Sequence, residues 1–261
     1  MLEILKKNFL RKNIEIKDLD SPETNQIIKK IINKNYLLKN FYIYCYEEFK
    51  MQLNDIIKNQ NSKILELGSG AGFLKEYFNV ITSEVVPMEG IDLVIDASKI
   101  PFNDEDLDAI VMMNVLHHVK DPENFLKECT RVLKKNGLII LIEPANTWFS
   151  RIIYKNFHHE DFDENSDWKI SGDGRLSSAN QAIPSIIFER DKKIFSSKFP
   201  NLDVNIVKKF KPFHYLLSGG ITYRILFNKI FTNFFLFLEK VLIPFNRYLA
   251  LFMLIKIKKK N

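Results

Sequence analysis

The sequence predicts an open α/β fold, a mostly parallel sheet with helices on both faces, preceded by a helical cover and followed by an apolar helical segment. Three observations predict it. Short apolar runs alternate with helical patterns between residues 63 and 143, and a glycine turn follows the first run. A chain of 261 residues that is 46% hydrophobic can bury one core with appended segments, and is short for two full domains.

The elements follow in order. At Ser21 the run Ser-Pro-Glu-Thr offers an N-cap, a proline at the first helical position and an acid in the first turn, with Ile27, Ile28, Ile31 and Ile32 behind it. A second helix is expected from about Tyr36 to Lys58, rich in Phe41, Tyr42, Tyr44, Tyr46 and Phe49. Residues 1–60 therefore read as an N-terminal helical cover. Ile64 to Leu67, Ile91 to Ile95, Ala109 to Met113 and Leu138 to Ile142 are apolar enough for strands buried on both faces. Pro122 to Leu133 has helical period and stops at Asn136-Gly137, where the glycine is expected as the C-terminal cap.

Residues 61–217 make the main domain. Within it, 144–182 is polar and aromatic, a composition suited to a functional insertion. Ile186 to Phe199 is expected to be helical and Leu202 to Val207 a late strand, and an antiparallel strand is expected late in the sheet. Residues 218–261 read as an apolar, basic helical segment containing Phe227, Ile230, Phe231, Phe234, Phe235 and Phe237. From residue 221 this segment has eight Lys and Arg against Glu239 alone, which accounts for the whole +6 of the chain. No uninterrupted apolar span of about 18–20 residues exists, so a transmembrane helix is not expected. Two docking readings stay open for 221–261: a helix on an anionic membrane surface, with Lys256, Lys258, Lys259 and Lys260 flanking it, or packing on its own domain or a second subunit.

Several classes are excluded on composition. Cys45 and Cys129 stand far apart, too few for a disulfide framework or a zinc-thiolate site. The basic N-terminus lacks an apolar h-region, so a cytoplasmic location, with a peripheral membrane contact as the variant, is expected. The high pI reflects a Lys-, Asn- and Ile-rich composition, and no aromatic-and-basic RNA-binding module is present; no nucleic-acid partner is expected.

The strongest chemical signal is Ile64-Leu65-Glu66-Leu67-Gly68-Ser69-Gly70-Ala71-Gly72, a strand entering a glycine turn before the helical pattern Phe73 to Phe78. Glycines let the backbone approach a ligand, and a helix N-terminus offers free N–H groups. A dinucleotide fingerprint would need G-x-G-x-x-G; here the spacing is G-x-G-x-G, with an acid two residues before the first glycine. That acid suits a ligand bearing an ammonium group and no pyrophosphate.

Glu66 to Gly72 resembles motif I of class I S-adenosylmethionine-dependent methyltransferases of the small-molecule, type 11-like kind, and the resemblance extends over roughly residues 62–143. It implies a Rossmann-like open sheet, S-adenosyl-L-methionine as cofactor, and Glu66, Gly68, Ser69, Gly70 and Gly72 at the cofactor. Ile91 to Ala97, followed by Ile100-Pro101-Phe102, matches the family's third strand, so Asp96 would face the adenine amino group and Ala97 would supply a backbone N–H. Asp108 to Val119 is similar to the fourth strand and the entry beyond it, placing Asn114 and Val115 beside the methionine moiety. Arg131 to Ile140 resembles the following helix, turn and fifth strand. The family usually ends its second strand with an acid that holds the ribose and follows it with a helix. Glu84 is the best match and Asp92 its rival, but Val86-Pro87-Met88-Glu89-Gly90 leaves room only for a loop.

On the acceptor side, His118 and His159 are the catalytic candidates, since an imidazole can take a proton from an acceptor hydroxyl. His117-His118 also fits a plain helix-entry pair. No metal is expected, because His158-His159-Glu160 lacks the i, i+4 spacing that sets ligands on one helical face. Glu143-Pro144 points to the ligand-binding end of the sheet. Ser171-Gly172-Asp173-Gly174 and Tyr215 to Gly220 read as turns or pocket loops. The expected activity is methyl transfer to a small-molecule or lipid-linked acceptor; the alternative is a non-catalytic cofactor-binding or scaffold protein that docks a partner through its C-terminal segment.

Overall fold

A computed structural model describes residues 21–158, 160–172, 174, 178–223, 225 and 229–260. The first twenty residues of the expected cover lie outside the described residues, as do His159 and Asp173. The strands are β1 (Ile64–Glu66), β2 (Ile81–Glu84), β3 (Leu93–Val94), β4 (Leu107–Met113), β5 (Leu133–Pro144), β6 (Leu202–Phe210) and β7 (Phe252–Lys259). They form one sheet in the order β3-β2-β1-β4-β5-β7-β6. Every neighbouring pair is parallel up to β5, and β7 runs antiparallel to both β5 and β6. The expected open, mostly parallel sheet is present, but its antiparallel member is the C-terminal strand.

The longer α-helices among the described residues are α1 (Pro22–Lys34), α2 (Tyr36–Gln52), α3 (Pro122–Val132), α4 (Trp148–Phe157), α5 (Lys192–Lys198), α6 (His214–Ser218) and α7 (Lys229–Val241). Ser21 occupies the N-cap of α1, but its hydroxyl donates to Glu23 at 2.7 Å and caps no N–H. Asn35 ties three segments together. Its Oδ1 accepts from the N–H of Leu38 to cap α2, and its Nδ2 donates to the carbonyl of Ser218 at 2.8 Å.

Both early crossovers are cut down. After β1 the expected helix over Phe73 to Phe78 is reduced to a single 3₁₀ turn, Leu74–Glu76, and no helix separates β2 from β3. Helix α2 fills the space. Its Phe41, Cys45, Tyr46 and Phe49 are fully buried, Phe41 packs on Phe252 of β7 with ring centroids 4.7 Å apart, and the Tyr46 hydroxyl accepts from the N–H of Phe73 at 3.1 Å. Gly72 permits this approach, since a Cβ there would lie 2.6 Å from the Tyr46 oxygen and 2.9 Å from the carbonyl of Ser69. The expected cover is therefore an integral layer of the core.

Two further expectations are corrected, at Gly137 and in the C-terminal segment. Gly137 does not cap the helix before it: α3 ends at Val132 and the chain enters β5 at Leu133, turning at Asn136 with φ of 64°. Residues 144–182 include α4, closed by a capping box in which Thr147 and Ser150 each bond the other's backbone N–H. Among the described residues the C-terminal segment is helical only over α7 and the short turns Ile243–Phe245 and Asn246–Leu249. Phe252–Lys259 is a strand inserted between β5 and β6, and Met253, Leu254, Ile255 and Ile257 are fully buried there. Residues 218–261 are thus no separate segment. The lysines expected to flank an apolar helix belong to β7 and its end, where Lys259 donates to the carbonyl of Leu133 and Lys260 to that of Pro200.

Helix α7 leaves Ile230, Phe231, Phe234, Phe237 and Val241 exposed. Its Glu239 faces inward, accepting from the N–H groups of Phe213 and His214 and pairing with Lys211 at 3.0 Å, which fixes α7 to α6. Among the described residues no helix is long and apolar enough to cross a membrane.

Candidate cofactor and acceptor site

A cavity of about 780 Å³ opens at the carboxyl ends of the central strands, where open α/β sheets bind ligands. One end is built by the glycine turn and β2. Ser69 donates its N–H to the carbonyl of Ser83 at 2.8 Å, and Ser83 Oγ donates to the carbonyl of Glu66 at 2.8 Å. Gly68 has φ of +67° and touches Val115 so closely that a Cβ would stand 2.5 Å from its methyl group. Gly70, with φ of +50°, donates its N–H to Glu84 Oε2 at 3.1 Å, while Glu84 Oε1 accepts from Val85.

Glu66 ends β1 and lines the cavity at 4% exposure. Burial, against a hydrogen bond from Ser69 and with the charge of Glu84 adding to it, pushes its carboxyl up to about 7. Such a group is poised to ionise when a cation is brought beside it. Glu84, Asp96 and Ala97 also line the cavity, whereas Asp92 turns away, held by Lys75 at 2.6 Å and by Thr82. Glu84 is therefore the acid at the end of β2 that faces the space. Asn114 adopts φ of 55°, a conformation asparagine tolerates, and its buried Oδ1 has no hydrogen-bond partner among the described residues.

The other end is assembled from distant segments. Glu143, fully buried at the end of β5, accepts from the N–H groups of Val115 and Leu116 at 2.9 and 2.8 Å and from His117 Nδ1 at 2.6 Å. It anchors the turn that follows β4 and does not itself line the cavity. His117 Nε2 and His118 Nε2 both turn toward Glu160, 3.4 and 3.5 Å from its two oxygens. Burial opposes charge on His117, but the carboxylates of Glu143 and Glu160 outweigh it and raise the group to about 10. Burial and the neighbouring His117 lower His118 to about 4. Glu160 stays ionised despite burial, held well below the usual carboxylate range chiefly by His117.

Tyr154 from α4, His158, Gln181 and Tyr215 from α6 complete this end. Gln181 Nε2 lies 2.5 Å from His158 Nδ1. The sequence singled out His118 but not His117, Glu160, Tyr154 or Gln181 as partners. The spacing test applied to His158-His159-Glu160 concerns ligands on one helix, and this cluster joins residues more than forty positions apart. Tyr215 does line the cavity, and Gly219 and Gly220 beyond it form a turn at positive φ.

Comparison with known proteins bears on the cofactor end. The family described as a methyltransferase domain matches residues 65–141. Over this stretch, less than a third of the chain, the protein is similar to methyltransferase domains. It is 24% identical over 102 residues to a Mycobacterium tuberculosis protein named a probable S-adenosylmethionine-dependent methyltransferase, covering 33% of this chain and 37% of that one. It is 26% identical over 113 residues to a ubiquinone biosynthesis O-methyltransferase of Pelagibacter ubique, covering 36% and 47%. A ubiquinone/menaquinone biosynthesis C-methyltransferase of Geotalea daltonii shares 28% identity over 99 residues, covering 38% and 37%. The chain thus spans less than half the length of these relatives. The Mycobacterium tuberculosis relative is named for its dependence on S-adenosylmethionine. A buried acid, a glycine cradle with no room for Cβ at Gly68, and the orphaned Asn114 oxygen form a donor set that fits that cofactor.

Proposed function

We propose that this protein transfers the methyl group of S-adenosylmethionine to a small-molecule or lipid-linked acceptor. The observation that carries the reading is the continuity of one cavity from the glycine turn to the His118–Glu160 wall, so that cofactor and acceptor share a space. Glu66 takes the ammonium of the methionine end, Gly68, Ser69, Gly70 and Gly72 shape the turn against it, and Asn114 and Val115 flank it. Glu84 takes the ribose hydroxyls, and Asp96 with Ala97 meets the adenine. The bound sulfonium supplies an activated methyl group, so the protein's task is alignment and exclusion of water. For a hydroxyl acceptor, the departing proton is handled at the His118 end of the cavity.

A hydrophobic ring acceptor is supported by the quinone-pathway names of two relatives and by the exposed apolar face of α7, which is fixed to the helix that brings Tyr215 to the cavity. Incubation with methyl-labelled cofactor and a panel of phenolic and isoprenoid acceptors tests the reading. Label in the extracted acceptor is expected; a folded protein that binds cofactor yet labels none of them would favour the scaffold alternative.

A further inference from the structure

We infer that His117, His118 and Glu160 form a binding site for one divalent transition-metal ion at the acceptor end of the cavity. Each imidazole has acceptors on both sides. His117 lies between Glu143 Oε2 at 2.6 Å and Glu160 Oε2 at 3.4 Å; His118 lies between the carbonyl of Ser178 at 3.2 Å and Glu160 Oε1 at 3.5 Å. A neutral imidazole has one N–H, so either tautomer satisfies only one side. Filling both sides of both rings with protons puts two imidazolium ions side by side, their centroids 4.3 Å apart, in a buried wall. One cation on the two Nε2 atoms and the carboxylate satisfies every group at once.

The geometry is that of a ligand set. Both Nδ1–H groups point outward to a carboxylate and a backbone carbonyl, the supporting contacts that fix metal-bound histidines, and both Nε2 atoms face Glu160. The Nε2-to-oxygen separations, 3.4 Å from His117 to Oε2 and 3.5 Å from His118 to Oε1, are long for charged hydrogen bonds and close to the roughly 3.4 Å between two ligands each about 2.1 Å from a tetrahedral ion, so a small shift of the carboxylate brings one oxygen into reach of both rings. The three ligand atoms lie within 4.8 Å of one another. Two nitrogens and one carboxylate suit Zn²⁺ or a neighbouring ion and leave a position open, and the residues line the cavity, so that position is available to an acceptor oxygen. On the methyl-transfer reading, on which this last step rests, an acceptor hydroxyl bound there loses its proton to solvent. Its oxygen then forms the C–O bond as the C–S bond breaks and sulfur keeps that electron pair.

The test is titration of the metal-free full chain with Co²⁺, followed by its visible ligand-field absorption, with Zn²⁺ as competitor. One Co²⁺ per chain, displaced by one Zn²⁺, is expected, with affinity at least about 100-fold lower in Glu160→Gln and His118→Gln. Absence of saturable Co²⁺ binding, or equal binding in both variants, overturns the site. If a variant fails to fold, ¹⁵N-histidine spectra of the wild type decide: Zn²⁺ must shift the Nε2 resonances of His117 and His118, and unmoved resonances overturn the site. S-adenosylmethionine titrated into the same samples reads the cofactor end separately, so loss of one result does not imply loss of the other.

Discussion

The two ends of the cavity are built in different ways. The cofactor end is centred on one continuous stretch, Glu66 to Gly72, fastened to the next strand by Ser83 and Glu84 and completed by short local runs at Asp96-Ala97 and Asn114-Val115. The acceptor end draws His117 and His118 from one turn, Glu143 from β5, Glu160 from the chain after α4 and Gln181 from before α5. Contiguous chemistry can be recognised in a sequence, whereas chemistry gathered by the fold cannot. The first is also set by backbone conformation and the second by a charge network, so the two ends should fail differently.

The sharpest break is expected at the acceptor end. Glu143→Ala removes the acceptor of two backbone N–H groups and uncovers the buried His117, and should cost about 3–5 kcal/mol in urea denaturation. Glu143→Gln keeps an oxygen for the N–H groups and should recover part of that loss. An Ala variant as stable as wild type would remove the idea that this end depends on charge pairing.

At the cofactor end the corresponding loss should appear in binding. Glu84→Ala withdraws a charged acceptor from Gly70 and the proposed ribose contact, and should weaken cofactor binding roughly 10- to 100-fold, measured by calorimetry. Asp92→Ala, off the cavity, should leave affinity nearly unchanged. If the two variants behave alike, the ribose assignment is wrong.

Glu66 gives a smaller, pH-dependent effect. Its folded-state pKa is raised to about 7 from an ordinary 4.5, so the folded form holds a proton more tightly than the unfolded chain. Its contribution is present below about pH 4.5 and is lost as pH rises through about 7. Glu66→Gln should flatten that part of the cofactor-free stability profile between pH 4.5 and 7; an unchanged slope would mean that Glu66 is not the buried acid responsible.

The smallest effect is expected on α7, where Phe237, 64% exposed, should tolerate Phe237→Ser within about 0.5 kcal/mol of stability. Leu254→Ala, fifteen residues from Glu239 but inside β7, should cost about 2–5 kcal/mol. Equal thermal shifts would contradict the division of the C-terminal segment into an exposed helix and a core strand.

That division marks where sequence reading stops. β4 and β5 are legible because their apolar runs are uninterrupted, β1 because it leads into the glycine turn, and the loop after β2 because Pro87 and Gly90 leave no helical pattern. Phe252–Lys259 is not, since Lys256, Lys258 and Lys259 interrupt its second half and its place between β5 and β6 is set by partners over a hundred positions away on one side. The glycine turn carries a helix-start pattern, but the N–H of Phe73 at that start is taken by the Tyr46 hydroxyl of α2 and only one 3₁₀ turn follows. The acid at Glu66 and the glycines are legible from local spacing and Glu84 from the family resemblance; Glu160 is not, because nothing within reach of it in the chain reveals His117.

The central claim is that Glu66 to Gly72 builds a cofactor site. Calorimetric titration of S-adenosylmethionine into the wild type and into Gly70→Arg tests it most directly, because a Cβ at Gly70 would meet no atom closer than 3.8 Å, the rest of the side chain enters the site, and the strain at its φ of +50° is confined to the turn. One saturable site in the wild type, abolished in a variant with unchanged circular dichroism, is the predicted result. A folded wild type that does not bind, or a variant that binds equally well, would contradict it.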